Sequence, residues 1–242
     1  MRVVSTVHKA GFDQYGQEWL DGVKFWPAGT EFILYTEGFD VQADGVDCRR
    51  IESLERAETF KRRYKHYKPI EWRWDVVRFS NKMFAAYDAL YDYRGIGVWL
   101  DADAITYNQL SDEYIANMLP NDAYMALFKR IGWATETGFW LMNCGHHEHA
   151  SFLDTWIKWL ETDSFKTLQQ WCDNSMLDAT VRLFERDKRI KTVSLSDKWE
   201  THDHPMSKVE LARYIDHLKG EDRKKAKHSQ ENIHRAATIR TP

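Results

Sequence analysis

The stretch from residue 74 to residue 100 constrains the fold most, because it joins a long helical pattern to a short β-rich run. Its first part carries apolar residues at the spacing of one face of an amphipathic α-helix, namely Val76, Phe79, Met83, Tyr87 and Leu90. This pattern leads into GIGVWL (95–100), an apolar run typical of a buried strand. A helix that leads into a buried strand is a building unit of open α/β sheets.

Short β-rich runs and helical patterns alternate along the rest of the chain. The β-rich runs are RVVSTV (2–7), EFILYT (31–36), YMALFKR (124–130), TGFWLMN (137–143) and IKTVSLS (190–196). Helical periods occur in EWLDGVKFW (18–26), HASFLDTWIKWLE (149–161) and NSMLDATVRLFERD (174–187). We therefore predict one α/β domain over residues 1–222, with an open mixed sheet flanked by helices, and a basic, mobile tail over residues 223–242.

The composition agrees with a globular chain. Of the 242 residues, 43% are hydrophobic and 29% are charged, and the net charge of −3 gives no general affinity for polyanions.

No run of about 18 apolar residues predicts a membrane-spanning helix, and the first residues lack the pattern of a signal peptide. Cys48, Cys144 and Cys172 are odd in number and form no C-x-x-C pair, which indicates free thiols. We therefore expect a cytosolic location.

The predicted strand that ends at Leu100 is followed by two carboxylates, Asp101 and Asp103. Side chains two residues apart in a strand share a face, so both can approach one cation at the strand's carboxyl end, where open α/β sheets bind ligands. Oxygen ligands suit a hard divalent ion such as Mn²⁺ or Mg²⁺. An ordinary polar strand end that meets a turn has the same sequence, so the pair alone leaves both interpretations open.

A second segment, HLKGEDR, contains a histidine and basic residues, which a carboxylate pair alone lacks. It places His217, Gly220 and Arg223 in an H-x-x-G-x-x-R arrangement. Together with the D-A-D that follows the apolar VWL, this arrangement resembles the GT-A class of nucleotide-sugar glycosyltransferases, and it is similar to the H-x-x-G-x-x-K motif of family 8 glycosyltransferases. The resemblance implies a GT-A-like fold, with Gly220 beside the donor.

The same resemblance implies a divalent cation, Mn²⁺ or Mg²⁺, and a set of ligands for it. Asp101, Asp103 and His217 correspond to the metal ligands, and Asp101 also corresponds to a carboxylate that reaches ribose or sugar hydroxyls. A lysine of the family's motif holds the donor diphosphate. In this chain Arg223 stands at that position and Lys224 follows it, so both remain candidates.

Two further segments resemble parts of the same enzymes. VVSTVHKAGFDQYGQ is similar to the first strand and nucleotide-binding loop, which implies that Thr6 and His8 contact the nucleotide. The long amphipathic helix is similar to the helix before the D-x-D, which implies that Arg78 and Lys82 face the donor. Spacing alone favours a solvated basic stripe for this pair, and His8 equally suits an ordinary histidine at a strand end.

Two carboxylates in later segments are candidates for the catalytic role. ETGFWLMN and WCDNSMLD, which contain Glu136 and Asp173, resemble acceptor-side and sugar-side segments of these enzymes. Each carboxylate can orient a hydroxyl or act as a general base. Glu136 also suits a turn, and Asp173 suits the N-cap of the helix that follows. Retention and inversion of the anomeric configuration both stay open.

The resemblance therefore implies a hexosyl- or pentosyltransferase that uses a nucleotide-diphosphate sugar, with a UDP-sugar as the favoured donor. The acceptor is a glycan, a small molecule or a hydroxymethylated DNA base. The DNA alternative depends on the basic, aromatic run FKRRYKHYKP (60–69) and on the basic tail. Small enzymes of this kind occur in bacteria and phages, and a phage-encoded chain would act in the host cytoplasm.

Two rival functions stay open. A sugar nucleotidyltransferase shares the fold class, although VHKAGFDQYG lacks the Gly- and Arg-rich loop of such enzymes. A nucleic-acid-binding module would use the basic runs, with the D-A-D as a chance strand end. Structural zinc at CGHHEH (144–149) or HDH (202–204) is not expected, because neither run has a second ligand pair at zinc spacing.

Overall fold

The computed structural model describes residues 1–196 and 204–239. Its strands are β1 (Arg2–His8), β2 (Glu31–Glu37), β3 (Val46–Arg50), β4 (Ile96–Leu100), β5 (Ala104–Thr106), β6 (Met125–Phe128), β7 (Glu136–Asn143), β8 (Thr192–Ser194) and β9 (Ile215–His217). Its α-helices are α1 (Lys9–Gly11), α2 (Gln17–Asp21), α3 (Glu55–Arg63), α4 (Val76–Leu90), α5 (Asp112–Met118), α6 (His149–Glu161), α7 (Asp173–Arg186), α8 (Glu221–Ala226) and α9 (Ile233–Ile239). Within these residues, no helix is long and apolar enough to cross a membrane.

A seven-stranded sheet lies at the centre, in the order β3-β2-β1-β4-β7-β6-β8. Strand β1 is parallel to β2 and β4, whereas β7 is antiparallel to β4 and β6. A separate two-stranded ladder pairs β5 with β9 in antiparallel register. The sheet is therefore mixed and flanked by helices, which confirms the predicted α/β fold class.

Apolar side chains of the central strands alternate between two cores, because successive residues of a strand point to opposite faces. Val4 and Trp99 belong to the core that α3, α4, α6 and α7 cover. Val3 and Val98 belong to the core on the other face, which includes side chains of α2, α5, β5 and β9. Because α4 runs into β4 through a short connection, the amino end of α4 lies at the carboxyl edge of β4.

The long, strongly periodic segments were predicted correctly as strands or helices. Helix α6 has the predicted bounds, and α4 begins after Asp75, whose carboxylate accepts a hydrogen bond from the amide of Arg78 at 3.2 Å. The segment 18–26 is helical only in part, since α2 gives way to a 3₁₀ turn over Gly22–Phe25. Elements β3, β5, β9, α3 and α5 were missed, because runs of three to nine residues are too short to establish a period.

Part of the positive charge of the basic, aromatic run at 60–69 is paired within the protein. Lys61 lies 3.9 Å from a carboxylate oxygen of Glu52 and 3.7 Å from one of Glu58. Arg63 donates to the carbonyl of Leu160 at 2.6 Å, at the end of α6, and lies 3.0 Å from Asp163. Lys61 and Arg63 thus have acidic partners in the fold.

The segment after residue 222 contacts the rest of the chain at several points. The Arg235 guanidinium lies 3.2 Å from a carboxylate oxygen of the buried Asp216, and Lys227 lies 2.7 Å from Glu18. Residues 240–242 lie outside the described part of the chain. The division at residue 222 and the mobility of the tail remain predictions.

Candidate active site

A cavity of about 440 Å³ opens at the carboxyl ends of β1 and β4. Eleven of the twelve residues proposed from the sequence line it, and they are Thr6, His8, Arg78, Lys82, Asp101, Asp103, Glu136, Asp173, His217, Gly220 and Lys224. Arg223 is the exception. Residues that are far apart in the sequence thus converge on one concave surface, at the position where open α/β sheets bind ligands.

The D-A-D segment is a turn between two strands. Strand β4 ends at Leu100, and the amide of Ala104 donates to the carbonyl of Asp101 at 2.8 Å, which closes the turn. Strand β5 then pairs Ala104 with His217 of β9, and the amide of Leu218 donates to the carbonyl of Asp103 at 2.7 Å. This short ladder brings the histidine of the C-terminal motif beside the carboxylate pair.

Asp101, Asp103 and His217 form a group with the chemistry of a metal site. One ligand atom from each residue lies within 4.8 Å of the others, and no second group of this kind occurs in residues 1–196 and 204–239. The Nε2 atom of His217 lies 3.3 Å from Oδ1 of Asp103. Two carboxylates and one imidazole are suitable ligands for Mn²⁺ or Mg²⁺, so the residues present fit a divalent cation.

Neighbouring charges shift the pKa values of Asp103 and His217. Burial by itself would raise the pKa of Asp103, but hydrogen bonds and charges from His217 and Lys224 hold that pKa well below its usual range. Burial would lower the pKa of His217, and the neighbouring Asp103 outweighs it, so the pKa of His217 is raised. Asp103 is therefore an ionised acceptor.

Gly138 of β7 lets His217 approach the cation group. A Cβ atom at position 138 would lie 2.6 Å from Cε1 of His217, closer than real Cβ atoms approach other atoms. The carbonyl of Gly138 also accepts a hydrogen bond from the amide of Asp101 at 2.8 Å. The absence of a side chain at this position thus creates the space that the imidazole fills.

Lys82 is buried at the site and forms ion pairs with two carboxylates. Its Nζ lies 2.8 Å from Oδ1 of Asp101 and 3.0 Å from Oδ2 of Asp173, and it donates to the carbonyl of Thr137 at 2.7 Å. Burial would lower the pKa of Lys82, but the two carboxylates raise it above its usual value, so the side chain is a cation. All three ammonium protons have protein acceptors, which makes Lys82 a positioning residue for the two aspartates.

Glu136 and Asp173 are both buried and hydrogen-bonded. Burial alone would raise the pKa of Glu136, yet Lys219, His217 and Arg130 hold it at about 2, which suits an ionised acceptor better than a general base at neutral pH. Asp173 is the first residue of α7, and its Oδ2 accepts from the Thr137 hydroxyl at 2.6 Å. The N-cap position belongs to Cys172, so Asp173 does not cap the helix through its side chain.

The C-terminal motif places Lys224 in the cavity and turns Arg223 away from it. Lys224 Nζ lies 3.0 Å from Oδ2 of Asp103. Arg223 donates through Nε to Glu231 at 2.9 Å and through a terminal nitrogen to the carbonyl of Lys219 at 2.7 Å. Gly220 has a φ of +91°, a conformation that favours glycine, and α8 begins directly after it. Of the two cations that the sequence left open, only Lys224 lines the cavity.

The ends of β1 and β2 also contribute residues to the cavity. Nδ1 of His8 accepts a hydrogen bond from the amide of Gly11 at 2.9 Å, and burial, followed by the charge of Arg78, lowers the pKa of His8. His8 is therefore a neutral strand-end group that also lines the cavity with Thr6. Glu37 at the end of β2 lies there as well, although the sequence analysis did not select it.

Other lining residues were also missed, namely Tyr15, Trp72, Phe79 and Lys219. Lys219 occupies a position that the H-x-x-G-x-x-R pattern leaves unspecified, and it pairs with Glu136. Glu37 could have been predicted, because the carboxyl ends of the parallel strands β1 and β2 lie at the same edge of the sheet, where open α/β sheets bind ligands. No sequence pattern distinguishes Trp72 from the other tryptophans.

The histidines of CGHHEH make contacts within the fold. The rings of His146 and His147 stack at 4.3 Å, and His149 Nε2 lies 2.8 Å from the carbonyl oxygen of Leu90. The three cysteines are free thiols. Residues 202 and 203 of the HDH run lie outside the described residues, and His204 Nε2 lies 2.8 Å from the carbonyl oxygen of His217.

No family model matches the chain, and no curated protein matches its sequence. Among solved structures, it is similar to glycosyltransferase GlyE of Streptococcus pneumoniae TIGR4, with 14% identity, 79% of this chain and 44% of that chain covered, and a TM-score of 0.47. This chain thus spans less than half the length of that protein.

Two other solved structures are similar over more of their own length. Mouse xyloside xylosyltransferase 1 has 9% identity, with 81% of this chain and 84% of that chain covered, and a TM-score of 0.48. A glycosyltransferase involved in the glycosylation of the major capsid of PBCV-1 has 11% identity, with 93% and 98% covered and a TM-score of 0.49. At this level of similarity, the function of the present chain has to be argued from its own residues.

Proposed function

We propose that the protein is a glycosyltransferase of the GT-A type that transfers a sugar from a nucleoside-diphosphate sugar to an acceptor hydroxyl with the help of a divalent cation. The observation that carries this proposal is the convergence of Asp101, Asp103 and His217 within 4.8 Å at the floor of one cavity. The same cavity holds a lysine, Lys224, for phosphate, and two buried carboxylates for hydroxyl groups. These are the groups that the reaction requires.

In the proposed reaction, the bond between the anomeric carbon and a β-phosphate oxygen breaks, and a bond from the acceptor oxygen to that carbon forms. The electron pair of the broken bond remains on the diphosphate, and the departing diphosphate oxygen takes up the proton that the acceptor hydroxyl loses. A cation held by the two aspartates and the histidine supplies Lewis-acid stabilisation of the negative charge that develops on the diphosphate. Lys224, which pairs with Asp103 in the protein alone, adds a positive charge that a diphosphate can attract.

The carboxylates of Glu136 and Asp173 are assigned to orient sugar hydroxyls. Each has a fixed cationic partner, since Glu136 pairs with Lys219 and Asp173 pairs with Lys82. An ionised carboxylate accepts a hydrogen bond from a hydroxyl more strongly than a neutral group does. Thr6, His8 and Arg78 are assigned to the nucleoside end, because Thr6 and His8 lie at the end of β1 and Arg78 lies close enough to His8 for its charge to lower the pKa of His8.

We assign Mn²⁺ or Mg²⁺ as the cation and a UDP-sugar as the first donor to test, with a cytosolic site of action. A panel of UDP-, GDP-, CMP- and dTDP-sugars, each with and without Mn²⁺, tests the proposal by thermal shift. A ligand at 100 times its Kd adds about 2.7 kcal/mol to the free energy of unfolding if it binds only the folded state. The matching sugar should stabilise the protein only when Mn²⁺ is present.

The rival functions give different results in the same panel. A sugar nucleotidyltransferase would bind a nucleoside triphosphate and a sugar phosphate in preference to a nucleotide sugar. A nucleic-acid-binding module would respond to no nucleotide sugar and would bind an oligonucleotide without divalent metal. If no nucleotide sugar shifts the melting temperature in Mn²⁺, the glycosyltransferase proposal fails.

A further inference from the structure

Large apolar side chains that face solvent are concentrated in two short loops. Five such residues are strongly exposed in the described part of the chain, with exposed fractions of 95% for Ile70, 55% for Trp72, 54% for Ile131, 50% for Trp133 and 70% for Ile233. Four of these five form two Ile-x-Trp triplets. Exposed apolar groups that cluster in this way mark binding surfaces more often than scattered ones do.

Both triplets lie at the edge of the sheet that holds the cavity. The first directly precedes α4, whose amino end lies at the carboxyl edge of β4. The second precedes β7, which is antiparallel to β4 and pairs Phe139 with Leu100, so that its first residues also lie at the carboxyl edge of β4. Trp72 itself lines the cavity.

Trp72 is held in place by hydrogen bonds and ring contacts around it. Its carbonyl accepts from the amide of Asp75 at 3.1 Å, and its ring meets the ring of Phe79 edge-on at 6.2 Å. The carbonyl of the adjacent Arg73 accepts from the amide of Trp171 at 2.9 Å. This bond connects the Trp72 loop to the segment that leads into Asp173, whose carboxylate accepts from Thr137 of β7, two strands away from β1 in the sheet.

Two arginines next to the triplets have partners within the protein. Arg73 lies 3.2 Å from Glu71, and the buried Arg130, whose guanidinium lies 5.8 Å from the centre of the Trp133 ring, lies 3.6 Å from Glu136. The surface near Glu136 and Asp173 therefore combines flat apolar rings with hydroxyl-binding groups. A phosphate backbone is bound chiefly by basic side chains, and these two arginines already have carboxylate partners.

We propose that Trp72 and Trp133 form an acceptor subsite for a sugar ring, so that the acceptor is a carbohydrate rather than a nucleic acid. This inference rests on the proposed function, because it assigns the second substrate of the same cavity. A pyranose has an apolar face of C–H groups that an indole can cover, and hydroxyl edges that Asp173 and Asn174 can accept from or donate to. Trp72 should contribute more to the binding free energy than Trp133, because Trp72 lines the cavity.

Direct binding to a printed glycan array, in the absence of any donor, tests the subsite separately from catalysis. The protein should bind at least one glycan class, Trp72→Ala should weaken that binding by about tenfold or more, and Trp133→Ala should weaken it less. Trp72→Phe should restore much of the affinity. Ile233→Ala, which removes an exposed apolar group from α9, is the matched control and should leave binding unchanged.

Nucleotide-sugar binding in Mn²⁺ separates this inference from the function it rests on. Trp72→Ala should keep the thermal shift from the donor, because the ring lies on the acceptor side. Loss of donor binding on Trp72→Ala would assign the ring to the nucleotide and overturn the inference while leaving the glycosyltransferase proposal intact. The inference is also overturned if no glycan binds, or if a labelled oligonucleotide binds in a manner that depends on Trp72.

Discussion

The two carboxylates of the D-A-D segment have contrasting surroundings. Asp101 accepts from Lys82 at 2.8 Å and from Nε1 of the buried Trp99 at 2.6 Å, and both donors are fixed in the core beneath the cavity. Asp103 faces His217 at 3.3 Å and Lys224 at 3.0 Å, two groups from the C-terminal part of the chain. Asp101 with Lys82 and Trp99 therefore forms a fixed half of the site, which is built into the fold. Asp103 with His217 and Lys224 forms an exchangeable half, whose contacts can change when a ligand enters.

This difference separates residues that hold the site from residues that bind the donor. The buried Lys82 pairs with Asp101 and with the buried Asp173, and breaking these contacts has a large cost, so Lys82 positions both aspartates. Lys224 lies on the short helix α8 and lines the cavity, so a diphosphate can take the place of Asp103 as its partner. The contrast predicts that substitutions in the first half change stability and substitutions in the second change ligand binding.

The largest expected effect is on the fixed half. Lys82→Met leaves the carboxylates of Asp101 and Asp173 without their shared cation, which should lower the free energy of unfolding by about 3–5 kcal/mol. Urea denaturation measures this loss. Lys191→Met, which breaks the exposed pair with Asp122, should lower the free energy of unfolding far less, because solvent screens that pair, and it serves as the control. An equal loss of free energy of unfolding in the two variants would contradict the assignment of Lys82 to the fixed half of the site.

On the exchangeable half, Asp103→Asn should remove metal-dependent donor binding. The variant loses a charged ligand of the proposed cation, so the stabilisation of about 2.7 kcal/mol expected at 100 times Kd should disappear. Thermal shift with donor and Mn²⁺ measures it, and Asp122→Asn, a surface change, should keep the full shift. An unchanged shift in Asp103→Asn would remove Asp103 from the metal site.

Gly138→Ala tests the packing that brings the halves together. The added methyl group would lie 2.6 Å from His217, so the imidazole must move and metal affinity should fall by about 10- to 100-fold. Titration with Mn²⁺ followed by electron paramagnetic resonance measures that affinity. In Gly145→Ala the added Cβ would lie 3.3 Å from its nearest neighbour, Oδ1 of Asn143, and metal binding should be unchanged. Normal affinity in Gly138→Ala would mean that His217 is not a ligand.

The smallest effect is expected at Lys224. Lys224→Met should weaken binding of a nucleoside diphosphate by about tenfold, because a charge-assisted contact to phosphate is lost. The same variant should bind Mn²⁺ alone no more weakly than the native protein, since the lysine competes with the cation for Asp103. Isothermal titration measures both, and the exposed neighbour Lys225 provides the control variant Lys225→Met. A weaker affinity for Mn²⁺ alone would contradict the exchange of partners.

Sequence patterns predicted the parts of the fold in which an apolar period repeats over many residues. Helix α6 and strand β7 were found nearly residue for residue, because many apolar positions establish their spacing. The two three-residue strands β5 and β9 were missed, and yet their pairing aligns His217 with the D-A-D turn. Such short strands form because they pair with each other, and a partner distant in sequence leaves no local pattern.

The candidate site shows the same division. The resemblance to glycosyltransferase motifs named Asp101, Asp103 and His217, but it could not choose between Arg223 and Lys224, which are adjacent in the sequence. Adjacent residues of a helix point in different directions, so α8 directs one cation to Glu231 and the other into the cavity. The same resemblance assigned Lys82 to the donor, whereas spacing alone favoured a solvated stripe, and only its three protein acceptors identify it as a positioning residue.

By itself, the sequence determined the α/β class, the strand that ends in the carboxylate pair and the chemical types of the groups around it, because these follow from apolar periodicity and residue identity. The tertiary structure alone decided which of these groups meet. The β5–β9 ladder brings His217 to Asp103, Gly138 makes room for the imidazole, and Trp72 reaches the cavity through a loop without a pattern. Contacts between distant segments depend on packing in three dimensions, which local sequence does not encode.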